Sequence, residues 1–158
     1  IIIGGGASGF FAAINLAERN PQQHIVILEK SGQLLGKVKV SGGGRCNVTH
    51  ACLEPQELVK SYPRGNKALL SPFMRFNAAD TAAWFQSRGV RLKTEADGRM
   101  FPVTDNSQTI IDCFLSEAKK YGVKIWTEEG VVKIEKEEKK WKITTSKYKI
   151  IFADNILV

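Results

Sequence analysis

The residues best suited to chemistry stand at the start of the chain. Ile1-Ile2-Ile3 is a strand-forming run that leads straight into Gly4-Gly5-Gly6-Ala7-Ser8-Gly9, a G-x-G-x-x-G turn, and an apolar helical stretch opens at Phe10. A second apolar run, Ile25 to Leu28, ends on Glu29, twenty positions past Gly9. Glycines at this spacing permit a tight turn and let the backbone approach a pyrophosphate. The helix that follows offers free N–H groups and a partial positive charge, and an acid at this distance accepts hydrogen bonds from ribose hydroxyls. A plain strand–helix connection with a solvated Glu29 is the competing account. It does not explain why strand, turn, helix and acid fall in one register. A carboxylate at position 29 would repel a 2′-phosphate, so FAD or NAD is expected ahead of NADP.

Ser41-Gly42-Gly43-Gly44-Arg45-Cys46-Asn47-Val48-Thr49 is the second informative stretch. Three successive glycines let a backbone lie against a planar or phosphorylated ligand, at an entropic cost that function must offset. Arg45 carries a fork of donors suited to phosphate, and Asn47 and Thr49 can bond hydroxyls or carbonyls. A flexible loop with incidental polar residues is the alternative. Cys46 is read as part of a backbone-contact motif, because no paired cysteine or evident base accompanies it. Its separation from Cys52 suits neither a C-x-x-C motif nor a flavin disulfide reductase. With only His24 and His50 available, no metal site is expected.

The elements that must position these motifs follow from length and pattern. The chain has 158 residues, 43% of them hydrophobic, enough for one domain with a core. No apolar run approaches the roughly 18 residues that span a bilayer and no signal peptide is visible, so no membrane partner is expected. Three cysteines without a disulfide framework suit a cytoplasmic location. Residues 1–30 read as a βαβ unit and 31–49 as an irregular glycine-rich loop. Helices are expected near 53–62, 66–75 and 78–88, the last capped by Asn77 and ended by Gly89. Short strands follow at 90–93 and 99–101, and Arg99, Phe101 and Pro102 are read as structural. Ser107 is expected to cap an amphipathic helix bearing Ile110, Ile111, Phe114, Leu115 and Ala118. A strand at 123–126 precedes three alternating segments, 131–136, 140–145 and 148–153, that suggest an antiparallel meander. Ile156 to Val158 has the unbroken apolar pattern of a parallel central strand.

The net charge is +7, and residues 133–149 supply +4 of it with seven lysines against three glutamates. These lysines read as the solvated faces of strands, where lysine also guards sheet edges. Nucleic acid is therefore not the expected partner; an RNA-facing surface is the alternative.

Taken together, IIIGGGASGFFAAI, LLGKVKVSGGGRCNVT and GRMFPVTDNSQTIIDCF resemble the BaiN/YhiN-type flavoproteins, a family of NAD(P)/FAD-dependent oxidoreductases. The resemblance runs in order along essentially the whole chain. It implies an α/β fold: a Rossmann-like FAD-binding domain with a parallel central sheet and a small antiparallel meander. Residues 1–158 would be the N-terminal part of a discontinuous FAD-binding domain, without its inserted and late segments. The chain opens and stops inside strands, so it reads as an excerpt expected to be inactive alone. The implied activity passes hydride from NAD(P)H through FAD to a small-molecule acceptor, some members being linked to reduction of enone-type double bonds in steroid-like substrates. An RNA-modifying flavoprotein and an NAD-binding dehydrogenase domain are the alternatives.

By position, the resemblance gives Gly4, Gly6, Ala7, Ser8 and Gly9 to the pyrophosphate and Glu29, with Lys30 beside it, to the adenosine ribose. Lys37 and the run Gly42, Gly43, Gly44, Arg45, Cys46 and Asn47 would line the diphosphate and isoalloxazine side. Val131 would present its backbone to adenine, with Val132 the neighbouring alternative. No catalytic acid or base is assigned. The family motif continues with Asn where this chain has His50, and the chain stops before the A-T-G-G-like turn that closes over the dinucleotide.

Overall fold

The apolar runs on either side of the first glycine turn pair in parallel, as their pattern requires. In this computed structural model, which describes residues 1–158, strand β1 (Ile2–Ile3) is followed by helix α1 (Ala7–Arg19) and strand β2 (Val26–Leu28), with Ile2 opposite Ile27. Phe10, Ala13, Ile14 and Ala17 recur at helical spacing and are the buried face of α1. Next come α2 (Gly36–Val40), β3 (Thr49–His50), α3 (Pro55–Leu58), α4 (Asn66–Arg75), α5 (Ala78–Gln86), β4 (Leu92–Thr94) and β5 (Arg99–Pro102). The chain ends with α6 (Gln108–Lys120), β6 (Lys124–Trp126), β7 (Val131–Glu137), β8 (Lys140–Thr145) and β9 (Ile150–Ala153). No helix is long and apolar enough to cross a membrane.

Contacts divide the chain into two units: residues 1–38 with 114–158, and residues 39–113. In the first, β1, β2 and β6 form a parallel sheet with β2 in the middle. The closing apolar segment joins it: Leu157 bridges in parallel to Ile2, and the Ile3 N–H donates to the Leu157 carbonyl at 2.8 Å. That segment makes one bridge beside β1 rather than a full strand, in the parallel sense expected of it. Strands β7, β8 and β9 form the antiparallel meander, and Ile143 and Ala153 meet Leu28 in a shared core. In the second unit, β3, β5 and β4 form an antiparallel sheet. Asn77 and Asp80 close a reciprocal capping box at the start of α5, the Asn77 side chain taking the Ala79 N–H at 2.8 Å.

Two local expectations are corrected. Residues 31–49 are not irregular throughout. Leu35 and Val38, three apart and both buried, anchor the short helix α2. Ser107 does not cap α6 with its side chain. Its hydroxyl donates to the Lys39 carbonyl at 2.9 Å, and the Asn106 side chain accepts the Gln108 N–H at 2.8 Å. A buried hydroxyl has to find a partner, and the Lys39 carbonyl supplies it.

Candidate functional site

The first turn has a crowded side and an open side. A β-carbon placed on Gly9 would lie 2.1 Å from the Gly4 carbonyl oxygen, and one on Gly5 would lie 2.7 Å from the Leu34 side chain. A β-carbon on Gly6 meets nothing within 4 Å. Gly6, Ala7 and Ser8 are exposed, no side chain caps α1, and no acid occupies its first turn. The helical ladder begins only with the Phe10 N–H, which donates to the Gly6 carbonyl at 3.0 Å. The amides of Ala7, Ser8 and Gly9 precede it. The mouth of the helix is therefore clear, with the geometry that anion binding at a helix N-terminus needs.

Glu29 is fixed against this turn. Its Oε2 accepts the Gly5 N–H at 2.8 Å, and its Oε1 accepts the Ser31 N–H at 2.8 Å and the Ser31 hydroxyl at 2.9 Å. Desolvation pushes this carboxyl up, but the bonds from Ser31 and Gly5 and the charge of Lys30 outweigh it and hold the group below its ordinary range. Oε2 takes only one of these donors, which leaves it a lone pair for a further hydroxyl. Residues 128–130 run alongside. The Glu129 N–H donates to the Glu29 carbonyl at 2.8 Å, and Gly130 is so close to Lys30 that a β-carbon there would lie 3.2 Å from that of Lys30. Val131 follows at once. The structure thus brings the glycine turn, Glu29, Lys30 and Val131 into one neighbourhood, and it places Lys37 exposed on α2.

The second glycine run is held differently. Gly42, Gly43 and Gly44 all take left-handed backbone angles, with φ of 56°, 69° and 85°, and so does Cys46 at 62°. A β-carbon on Gly42 would lie 2.8 Å from both the Asn47 nitrogen and the Phe101 ring, whereas Gly43 and Gly44 face open space. Ser107 clamps both ends of the run, its hydroxyl on Lys39 and its N–H on the Gly44 carbonyl at 2.8 Å. Arg45 is engaged within the protein: it bonds Glu95 at 2.5 Å, lies 3.6 Å from Asp105, and stacks over Phe101 with 4.0 Å to the ring centre. Cys46 is buried, and burial pushes its thiol up, against a smaller opposing effect of Ser41. That is the setting of an inert thiol. Asn47 is exposed.

Sequence reasoning missed Ser31, Glu95 and Asp105 and gave Ser107 a different role; Glu95, Asp105 and Ser107 act through partners that only the folded chain brings near. It also missed a cavity of about 420 Å³ in the second unit, which Asn47, Thr49, Tyr62, Phe73, Phe76 and Asn77 help to line. The signal for that cavity was available as the aromatic residues scattered through 62–76.

Comparison with known proteins agrees with this architecture. A 3-dehydro-bile acid delta(4,6)-reductase of Clostridium scindens is 30% identical over 126 residues, which cover 80% of this chain and 30% of that protein. A ribosomal RNA dihydrouridine synthase of Escherichia coli is 30% identical over 139 residues, covering 87% of this chain and 33% of that protein. The chain thus spans about a third of the length of the curated relatives it matches. Among solved structures, Thermovibrio ammonificans THI4 shares the fold with a TM-score of 0.59 at 16% identity, over 98% of this chain and 54% of that one. The profile of the HI0933-like protein Rossmann domain matches residues 1–158 from end to end. The chain therefore belongs to the HI0933-like family, which is the BaiN/YhiN family that its three motifs resemble.

Proposed function

We propose that this chain is the FAD-binding portion of a flavin-dependent oxidoreductase that passes hydride from NAD(P)H to an organic acceptor, and that residues 1–158 are the first part of a discontinuous domain. The observation that carries the reading is the clear mouth of α1, with Gly6, Ala7 and Ser8 exposed beside a carboxylate already fixed at 2.8 Å from Gly5. When bound, the flavin supplies the redox chemistry, and the protein's part is to bind, orient and exclude competing reactions. The amides of Ala7, Ser8 and Gly9 would hold the diphosphate, with Gly4 and Gly6 leaving room for it. Glu29 would take a ribose hydroxyl on Oε2, and Lys30 and the Val131 backbone would border the adenosine. Gly43, Gly44 and Asn47 would offer main-chain and amide groups to the ring side. Arg45 acts there through its hold on Glu95 and Phe101, which stiffens the left-handed run.

The acceptor reading follows the bile acid reductase named above, an enone-type double bond. A second reading, reduction of an RNA base, draws on the relatives named ribosomal RNA dihydrouridine synthase and on residues 58–79 of the second unit, which carry four cations and no acid. The flavin reading is tested by denaturing the purified intact protein and identifying what it releases. FAD is expected; a colourless protein that releases NAD, or nothing, refutes it. Glu29→Ala should weaken FAD retention roughly 10–100-fold, as loss of a charge-assisted hydrogen bond implies.

A further inference from the structure

Five of the seven lysines of 133–149 lie within 4 Å of a carboxylate. Lys133 pairs with Glu135 at 2.8 Å, Lys142 with Glu137 at 3.0 Å and Lys149 with Glu129 at 2.5 Å. Lys136 lies over Trp141, 4.5 Å from its ring centre. The second unit is different. Residues 58–79 contain Lys60, Arg64, Lys67 and Arg75 and no acid at all. Lys60 is matched by Glu57, at 2.7 Å. Arg64, Lys67 and Arg75 are exposed and make no ion pair, and the Asp80 carboxylate beyond them is occupied by the Asn77 N–H.

These cations alternate along the chain with the aromatic residues of the 420 Å³ cavity. Arg64 follows Tyr62 by two positions, and Arg75 stands between Phe73 and Phe76. Tyr62 and Phe76 stay about 40% exposed, and the Tyr62 and Phe73 rings meet at 5.5 Å with a 50° tilt. The polar part of the lining includes the Asn47 and Thr49 side chains, for which the fold supplies no partner, and the Asn77 amide nitrogen, since that residue's oxygen alone serves the α5 cap. A purely hydrocarbon ligand would leave these groups unpaired; a heterocycle with carbonyl and N–H edges would not. Aromatic faces for stacking, amides for base edges and unpaired cations for phosphates together make up the chemistry of single-strand recognition.

We propose that this cavity and its flanking cations bind an unpaired polynucleotide strand, with one base held among Tyr62, Phe73 and Phe76 and neighbouring phosphates along Arg64, Lys67 and Arg75. The proposal rests on the RNA reading given above and assigns its surface to the second unit rather than to the lysine-rich meander. The test is fluorescence anisotropy of a labelled 12-nucleotide oligouridylate on the intact protein across a salt series. Binding should weaken as salt rises. Arg64→Ala/Lys67→Ala/Arg75→Ala should make the slope of log affinity against log salt shallower by about two, at roughly 0.7 per cation on a single strand. Tyr62→Ala should cost about tenfold in affinity with the salt slope unchanged, and Tyr62→Phe should restore it. Lys133→Ala/Lys142→Ala/Lys147→Ala should bind as the parent does.

The outcomes separate the two claims. No salt-sensitive binding by the parent protein overturns the RNA reading and the surface with it. Binding that survives both the triple arginine–lysine variant and Tyr62→Ala, or that is lost in the meander variant instead, overturns the surface alone. Uridine monophosphate binding as tightly as the 12-mer overturns the strand and leaves a small-molecule pocket.

Discussion

The two glycine-rich turns look alike in sequence and use glycine for opposite reasons. In the first, Gly9 is needed for space, since a β-carbon there would strike the Gly4 carbonyl at 2.1 Å, while Gly6 opens onto solvent. In the second, Gly43 and Gly44 have open space around them and are needed for their left-handed backbone. One turn packs a helix tightly onto a strand and leaves a clear approach to the helix end. The other winds the chain into a conformation that side chains resist, then fastens it with Ser107, Arg45 and Phe101. A run of glycines therefore says that something must come close or that the chain must turn the wrong way, without saying which.

Substitutions sharpen this contrast. Gly9→Ala should have the largest effect, at the upper end of the roughly 1–3 kcal/mol that overpacking costs, read as a lowered urea midpoint. Gly42→Ala combines a left-handed backbone with two 2.8 Å contacts, and should cost about 2 kcal/mol. Gly43→Ala has the backbone term alone and should cost about 1 kcal/mol in the same titration; equal losses for the two would show that the contacts of Gly42 contribute nothing. Gly6→Ala should leave the urea midpoint within about 0.5 kcal/mol of the parent. It should nevertheless weaken FAD retention about tenfold, because its methyl group would stand where the diphosphate is proposed to lie. Gly6→Ala losing stability while keeping FAD would reverse the roles assigned to Gly6 and Gly9.

Acid titration probes the same turn through Glu29. Its carboxyl is held below the ordinary range only in the folded chain, so the stability it adds is complete at neutral pH. That stability drains away as pH falls through the ordinary glutamate range and below. Glu29→Gln should flatten this limb of the stability–pH curve and leave the curve's shape above it unchanged. An undiminished acid limb in the variant would show that the bonds from Gly5 and Ser31 carry no net weight.

Much of the fold was legible because its signals are local. Alternation in 131–153 gave the meander, the stripe of Phe10, Ala13, Ile14 and Ala17 gave α1, and Asn77 gave the start of α5. The misreadings share a cause. Ser107 looked like a cap because it precedes a helix, yet its hydroxyl serves Lys39, 68 residues earlier. Arg45 looked like a phosphate fork, and its charge is taken up by Glu95, 50 residues later. The lysines of 133–149 read as solvated strand faces, but the sequence does not show which glutamates of the same sheet answer them.

The order of residues alone determined the βαβ opening, the acid at its end and the glycine runs, since turn chemistry and hydrophobic period act over a few positions. Folding decided which charges are cancelled, which glycines are crowded and which thiols are buried. Those properties depend on distances between residues far apart in the chain, and low-dielectric surroundings and close packing exist only once the segments have met.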